Sequence, residues 1–119
     1  MSSTTLHLCL DAPDKPLHTL CDLLTERLGQ SCEIVSRQEM DFLDGSAAQL
    51  LIEKFFLRSG SYAGLSLFLT ENEDGQRAHI TGFGGGEGLF NISLWANDDL
   101  AEEASSALEA QGFRPCDDE

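Results

Sequence analysis

Leu65, Leu67 and Leu69 alternate with Ser66, Phe68 and Thr70, and this period of two constrains the fold more than any other feature of the chain. Side chains two apart on a strand share a face. The segment therefore predicts a β-strand that is aliphatic on one side and mixed on the other. The same division continues downstream: Ala78 and Ile80 oppose His79, Thr81 and Phe83, and Phe90, Ile92, Leu94 and Ala96 oppose Asn91, Ser93 and Trp95. Read this way, residues 62–96 are three successive strands. The stretch Glu71-Asn72-Glu73-Asp74-Gly75-Gln76 supplies a hairpin between the first two, with Asp74-Gly75 giving the positive φ of a tight turn. One aliphatic face opposite a mixed one is the pattern of an antiparallel sheet covered on one side.

Two segments have the helical spacing needed to cover it. Leu17, Leu20, Cys21, Leu24 and Leu28 recur along one face of a helix that opens after Asp14 and Pro16 and stops at Gly29. Asp14 is the expected cap. A second helix is expected to start at Asn97-Asp98-Asp99 and to present Leu100, Ala101, Ala104, Ala107 and Leu108 inward. Gly112 should end it and let Phe113 fold back onto Leu108. Before and between these segments lie a strand over 4–10, with Leu6, Leu8 and Leu10 opposite His7 and Cys9, a partly polar strand around 32–37, and a third over 49–58. That last strand is apolar on both parities, Leu51, Phe55 and Leu57 against Leu50, Ile52 and Phe56, so its inward face stays unassigned. The expected fold is an α+β two-layer sandwich: a mainly antiparallel sheet of five to six strands with two helices on one face, in the order β-α-β-β-β-β-β-α. Residues 1–119 form one domain in this reading, with an acidic, frayed tail at 114–119.

The balance of 21 acidic to 7 basic residues, a net charge of −14, excludes partners that are themselves polyanions. Nucleic acid and anionic membrane surfaces are bound by neutralising phosphates with Lys and Arg, and this chain has few. No apolar run reaches the roughly 20 residues of a membrane helix, and the opening MSSTTLHLCL lacks a basic leader. A cytoplasmic protein is expected, with Cys9, Cys21, Cys32 and Cys116 as free thiols, since they form no CxxC pair.

Several patterns invite a chemical reading. The cluster from Gly82 to Gly88 resembles a phosphate cradle in composition, but it joins two strands, carries Glu87 and has no lysine nearby; a wide hairpin explains it. His7-x-Cys9 and His18-x-x-Cys21 each have ligand spacing, yet strand and helix parity send them to opposite sides of the sheet, so no metal site and no cofactor are expected. Lys54 in an apolar strand could act as a base, although a stem along the sheet with its amine in water is the simpler reading. The three histidines have no evident partners, and no nucleophile elbow is present. The aromatics on the non-aliphatic parity, Phe68, Phe83 and Trp95 with Tyr62, are denser than a freely solvated sheet face carries. Tyr62, Phe68, His79, Phe83, Gly84, Gly85, Gly86 and Trp95 are therefore the candidate interface or ligand residues. The leading expectation is a non-catalytic interaction module that forms a homodimer through this face. The alternative is a small-molecule-binding protein or enzyme with a cleft beside residues 82–88, its ligand unknown.

One further pattern extends over the second half of the chain. An aromatic strand carrying Glu53 and Arg58 is followed by the turn Ser59 to Tyr62, a Leu-alternating strand, the glycines Gly84 to Gly86, and Phe90-x-Ile92 before an acidic helix start. This resembles a small uncharacterised bacterial family catalogued as domain of unknown function six thousand and fifty-four. The resemblance implies no activity, substrate or cofactor, and no functional residue is carried over from it.

Overall fold

Leu50 on one strand, Leu67 on the next and Ile80 on the one after stand directly opposite one another, and this row marks the middle of a single six-stranded antiparallel sheet. The structure is a computed structural model. It describes residues 5–57, 60–83 and 91–116, apart from the side chains of Ser61 and of residues 91–99. The elements in chain order are β1 (Thr5–Leu10), α1 (Leu17–Leu28), β2 (Glu33–Phe42), β3 (Gly45–Phe56), β4 (Ser61–Asn72), β5 (Gly75–Phe83), α2 (Asn91–Glu109) and β6 (Arg114–Pro115). Across the sheet the strands run β2-β3-β4-β5-β1-β6. Strands β2 to β5 form a meander, and β1 lies between β5 and the short β6.

Both helices cover the same face. Leu17, Leu20, Cys21, Leu24 and Leu28 of α1 and Leu100, Ala101, Ala104, Ala107 and Leu108 of α2 are buried against Leu8, Ala48, Leu50, Ile52, Ala63, Leu65, Leu67, Leu69, Ala78 and Ile80. Each Leu or Ile so buried contributes about 1.5–3 kcal/mol. The alanines of α2 let that helix lie close to β4 and β5. The antiparallel α+β sandwich expected from the alternation is therefore what the chain forms. The ambiguity of β3 is also resolved: Ala48, Leu50 and Ile52 face the helices, and Leu51 and Phe55 face away.

Three local expectations are corrected. The strand read over 90–96 is instead the opening of α2, which begins at Asn91; Phe90 lies outside the described residues. A seven-residue window fits both periods, and the longer pattern decides it: Ile92 and Ala96 stand eight and four residues before Leu100, at helical spacing from it. Asn97-Asp98-Asp99 then lies inside α2, and the sixth strand is Arg114–Pro115, paired with Cys9 and Leu8 of β1. Secondly, Asp14 does not cap α1. Pro16 occupies that position without a side-chain cap, its carbonyl accepting from the Leu20 N–H at 3.1 Å, and Asp14 meets Lys15 Nζ at 2.8 Å. Thirdly, Cys9 and Cys116 form a disulfide across Cα atoms 5.2 Å apart, leaving Cys21 and Cys32 free. Two cysteines 107 residues apart give no spacing signal; they meet because β6 pairs beside β1. The first three residues of the stretch read as a frayed tail are thus held, with the Cys116 N–H donating to the His7 carbonyl at 3.1 Å.

The endings of the elements follow their residues. Gly112 adopts φ 102°, and the Phe113 N–H donates to the Leu108 carbonyl at 3.2 Å, a Schellman-type stop with Phe113 buried. Gln76 is the one buried polar side chain among the described residues; its Nε2 donates to the Lys15 carbonyl at 2.9 Å and to Glu71 Oε1 at 2.7 Å, tying the β1–α1 connection to the β4–β5 hairpin. Among the described residues no helix is long and apolar enough to cross a membrane.

Candidate interaction face

The alternation that buries one face of the sheet leaves the other without a helix. Its side chains fall into rows set by the register. Glu53, Gly64 and Phe83 form one row, Leu51, Ser66, Thr81 and Thr5 the next, and Gln49, Phe68, His79 and His7 a third, with Ala47, Thr70, Arg77 and Cys9 beyond them. The second row is laced by hydroxyls, Thr5 Oγ1 lying 3.1 Å from Thr81 Oγ1. Gln49 Nε2 donates to Ser66 Oγ at 3.3 Å, linking the second row to the third. These bonds engage Thr5, Thr81, Gln49 and Ser66 within the face, beside the aromatic rings it presents outward.

Those rings are well exposed for their size: Tyr62 54%, Phe55 45%, Phe83 45% and Phe68 41%. Phe55 and Tyr62 pack ring to ring at 5.0 Å between centroids. Phe83 lies over Gly64, where an added Cβ would come within 2.6 Å of its ring, so the glycine is covered by an aromatic from the neighbouring strand. Toward the β2 edge, Met40, Phe42, Ala47, Gln49 and Phe68 line a shallow hollow of about 270 Å³. Among the described strand residues of this face, the acidic pair Glu33 and Glu53 stand as cross-strand partners at one end, and Arg77 stands at the other, opposite Thr70.

Four of the expected site residues, Tyr62, Phe68, His79 and Phe83, thus share this open face. Gly84, Gly85 and Gly86 lie outside the described residues. Trp95 belongs to α2 and not to a strand, so the parity that set it beside Phe68 and Phe83 does not apply. Met40, Phe42 and Phe55 join the face without having been expected. The first two belong to a strand that continues past Arg37 to Phe42; the third needed the face of β3.

The histidines do have partners. His79 Nδ1 lies 2.8 Å from His7 Nδ1 across β5 and β1, the rings meeting edge to face at 4.7 Å, with Phe68 beside His79 at 6.1 Å. Burial and the neighbouring His7 and Arg77 charges hold the His79 imidazole below its ordinary pKa. On the helix side, His18 Nδ1 meets Glu39 Oε1 at 3.1 Å, and that hydrogen bond with the Asp22 and Glu39 charges raises its pKa.

A second concavity, of about 570 Å³, opens where the end of α1 meets β3 and α2, lined by Arg27, Ser31, Lys54, Phe56, Glu103 and Ser106. Lys54 Nζ meets Glu103 Oε2 there, and Glu103 also accepts from Ser31 Oγ at 2.8 Å. The Cys32 thiol beside them is pushed above its ordinary pKa, chiefly by burial. A lysine engaged by a carboxylate and a thiol with a raised pKa are both poor nucleophiles.

Comparison with known proteins adds a family but no activity. The profile of a family of unknown function, DUF6054, matches residues 13–112. No curated protein and no solved structure matches the chain.

Proposed function

Because the chain belongs to the family of unknown function DUF6054, we propose its role from the open face itself: a non-catalytic interaction module that self-associates as a symmetric homodimer. The observation that carries this is the helix-free sheet face on which Met40, Phe42, Phe55, Tyr62, Phe68 and Phe83 are all exposed. An apolar patch of this kind, crossed by hydroxyl and amide groups, has the composition of an interface core with its polar rim. The net charge of −14 opposes a second copy, but the placement of charges at the two ends of the face suits one. A two-fold axis lying between two stacked faces and crossing the strands near Ser66 and Phe68 turns the Glu53 end of one copy toward the Arg77 end of the other.

Light scattering after size exclusion tests this. A dimer is expected, tightening as salt screens the net charge of −14, and Phe68→Glu should return it to a monomer with unchanged far-ultraviolet circular dichroism. A monomer at high micromolar concentration and moderate salt would end the proposal. A second reading, a small apolar ligand, rests on the hollow at Met40, Phe42 and Phe68. Its volume is just below the range of about 300–1,000 Å³ usual for such sites, and a metabolite screen by melting temperature separates it from the first.

A further inference from the structure

The His7–His79 pair is unlike the other polar contacts of the open face. Among the described residues each ring's hydrogen-bond partner is the other ring, with no carboxylate or amine on either one. In such a contact one ring donates its Nδ1–H, and the other accepts at Nδ1 with its own proton on Nε2. We propose that His7 Nδ1 and His79 Nδ1 form a bidentate cross-strand site for a divalent transition cation of the nickel or copper class.

The bite of the pair sets the class. With metal–nitrogen bonds of about 2.0–2.1 Å, two nitrogens sit about 2.9 Å apart at a right angle around the metal and about 3.3 Å apart at the tetrahedral angle. The 2.8 Å hydrogen-bond contact already brings the two nitrogens to about the right-angle separation before the rings turn, and imidazole nitrogens with water suit tetragonal copper and nickel. Binding requires no net proton release. The Nδ1–H proton of the donating ring transfers through water to its Nε2, both Nδ1 lone pairs turn to the metal through the soft χ2 torsions, and the N–H···N bond is replaced by two metal–nitrogen bonds. Water fills the remaining positions. Cys9, which shared the notional site with His7 by spacing, is closed in its disulfide and is not a ligand. No group of three or more ligating side chains occurs among the described residues, so the pair acts alone, aided by a chain whose net charge of −14 concentrates cations near it. Arg77, two residues along β5, is the opposing charge. The inference does not need the self-association proposed above, but the pair lies on that same face, so the site belongs to the dilute monomer.

Calorimetric titration of tag-free protein with nickel chloride tests the site, alongside copper spin resonance to count bound nitrogens. One metal per chain is expected, with two nitrogen ligands. His7→Asn and His79→Asn should each weaken binding about tenfold or more, since losing a direct ligand costs at least what losing a supporting group does, and each should reduce the nitrogen count to one. His18→Asn should leave both readouts unchanged, and circular dichroism should show all three variants folded. Equal affinity in the wild type and both pair variants, or binding that His18→Asn removes, would overturn the proposal.

Discussion

Lys54 on β3 reaches Glu103 on α2, Nζ to Oε2 at 2.5 Å, and so joins the sheet to its second helix by charge as well as by packing. Burial raises the Glu103 carboxyl, but hydrogen bonds from Lys54 and Ser31 and the Lys54 charge outweigh it and hold the group below its ordinary value of 4.5. A carboxylate depressed in the folded state adds stability that is complete above its unfolded pKa and disappears as pH falls through the folded one. Urea unfolding of Glu103→Gln should therefore lie about 1 kcal/mol below wild type at pH 7, and the two should converge as the pH drops below about 4. A gap of equal size at both pH values would contradict this account.

The disulfide makes a countable prediction. In denaturant without reductant, two thiols should titrate, Cys21 and Cys32, and four after reduction. Opening the bond should lower stability by about 2–4 kcal/mol, because it closes a long loop in the unfolded chain. Alkylation of the native protein at pH 8 should reach the partly exposed Cys32 before Cys21, whose thiol is fully buried and pushed up to about 11, mainly by burial. Four thiols before reduction would mean that the pair stands open in the protein as purified, the state a reducing compartment favours.

Leu67 and Phe68 are chain neighbours with opposite duties. Leu67→Ala should cost about 2–5 kcal/mol, since its side chain is wholly buried beneath the helices. Phe68→Ala should change monomer stability by about 0.5 kcal/mol or less but weaken the dimer by about 2 kcal/mol. Chemical denaturation of dilute protein reads the first effect, and sedimentation equilibrium the second.

Two glycines with positive φ should respond differently to alanine. At Gly75 (φ 125°) a Cβ would lie 2.4 Å from the Leu10 carbonyl oxygen, whereas at Gly60 (φ 67°) it would meet nothing within 4 Å. Gly60→Ala should cost only the left-handed penalty of about 1–2 kcal/mol. Gly75→Ala adds a backbone collision and should cost clearly more, which melting temperatures will show.

What could be read from residues alone follows from how far each pattern extends. The stripes of α1 and α2 and the faces of β4 and β5 were legible because their periods repeat over several turns or pairs, and Leu17 to Leu28 of the first stripe and Leu100 to Leu108 of the second are buried at each expected position. The start of α2 was not, because Ile92, Leu94 and Ala96 satisfy alternation over a window too short to exclude a helix. The face of β3 was hidden by apolar residues on both parities: Leu51 and Phe55 belong to the exposed face, whose need for apolar groups the chain does not announce. Least legible were the pairings across the sheet. His7 with His79 and Cys9 with Cys116 are 72 and 107 residues apart, and only the insertion of β1 between β5 and β6 brings either pair together.

The two edges of the sheet are not equivalent. β2 presents its outer backbone over ten residues, softened by the register shift between Ile34 and Ser36, whereas the edge of β1 is stopped by two residues of β6 and the bond from Cys9 to Cys116. Growth of a sheet from chain to chain needs an unstopped border on both sides of every copy. Among the described residues this chain offers one. Two copies meeting along β2 would use up both unstopped borders and leave only stopped ones outside. Arg114 and Pro115 therefore make the β1 side the poorer template for an added strand, since they occupy part of its border and the proline has no N–H to offer.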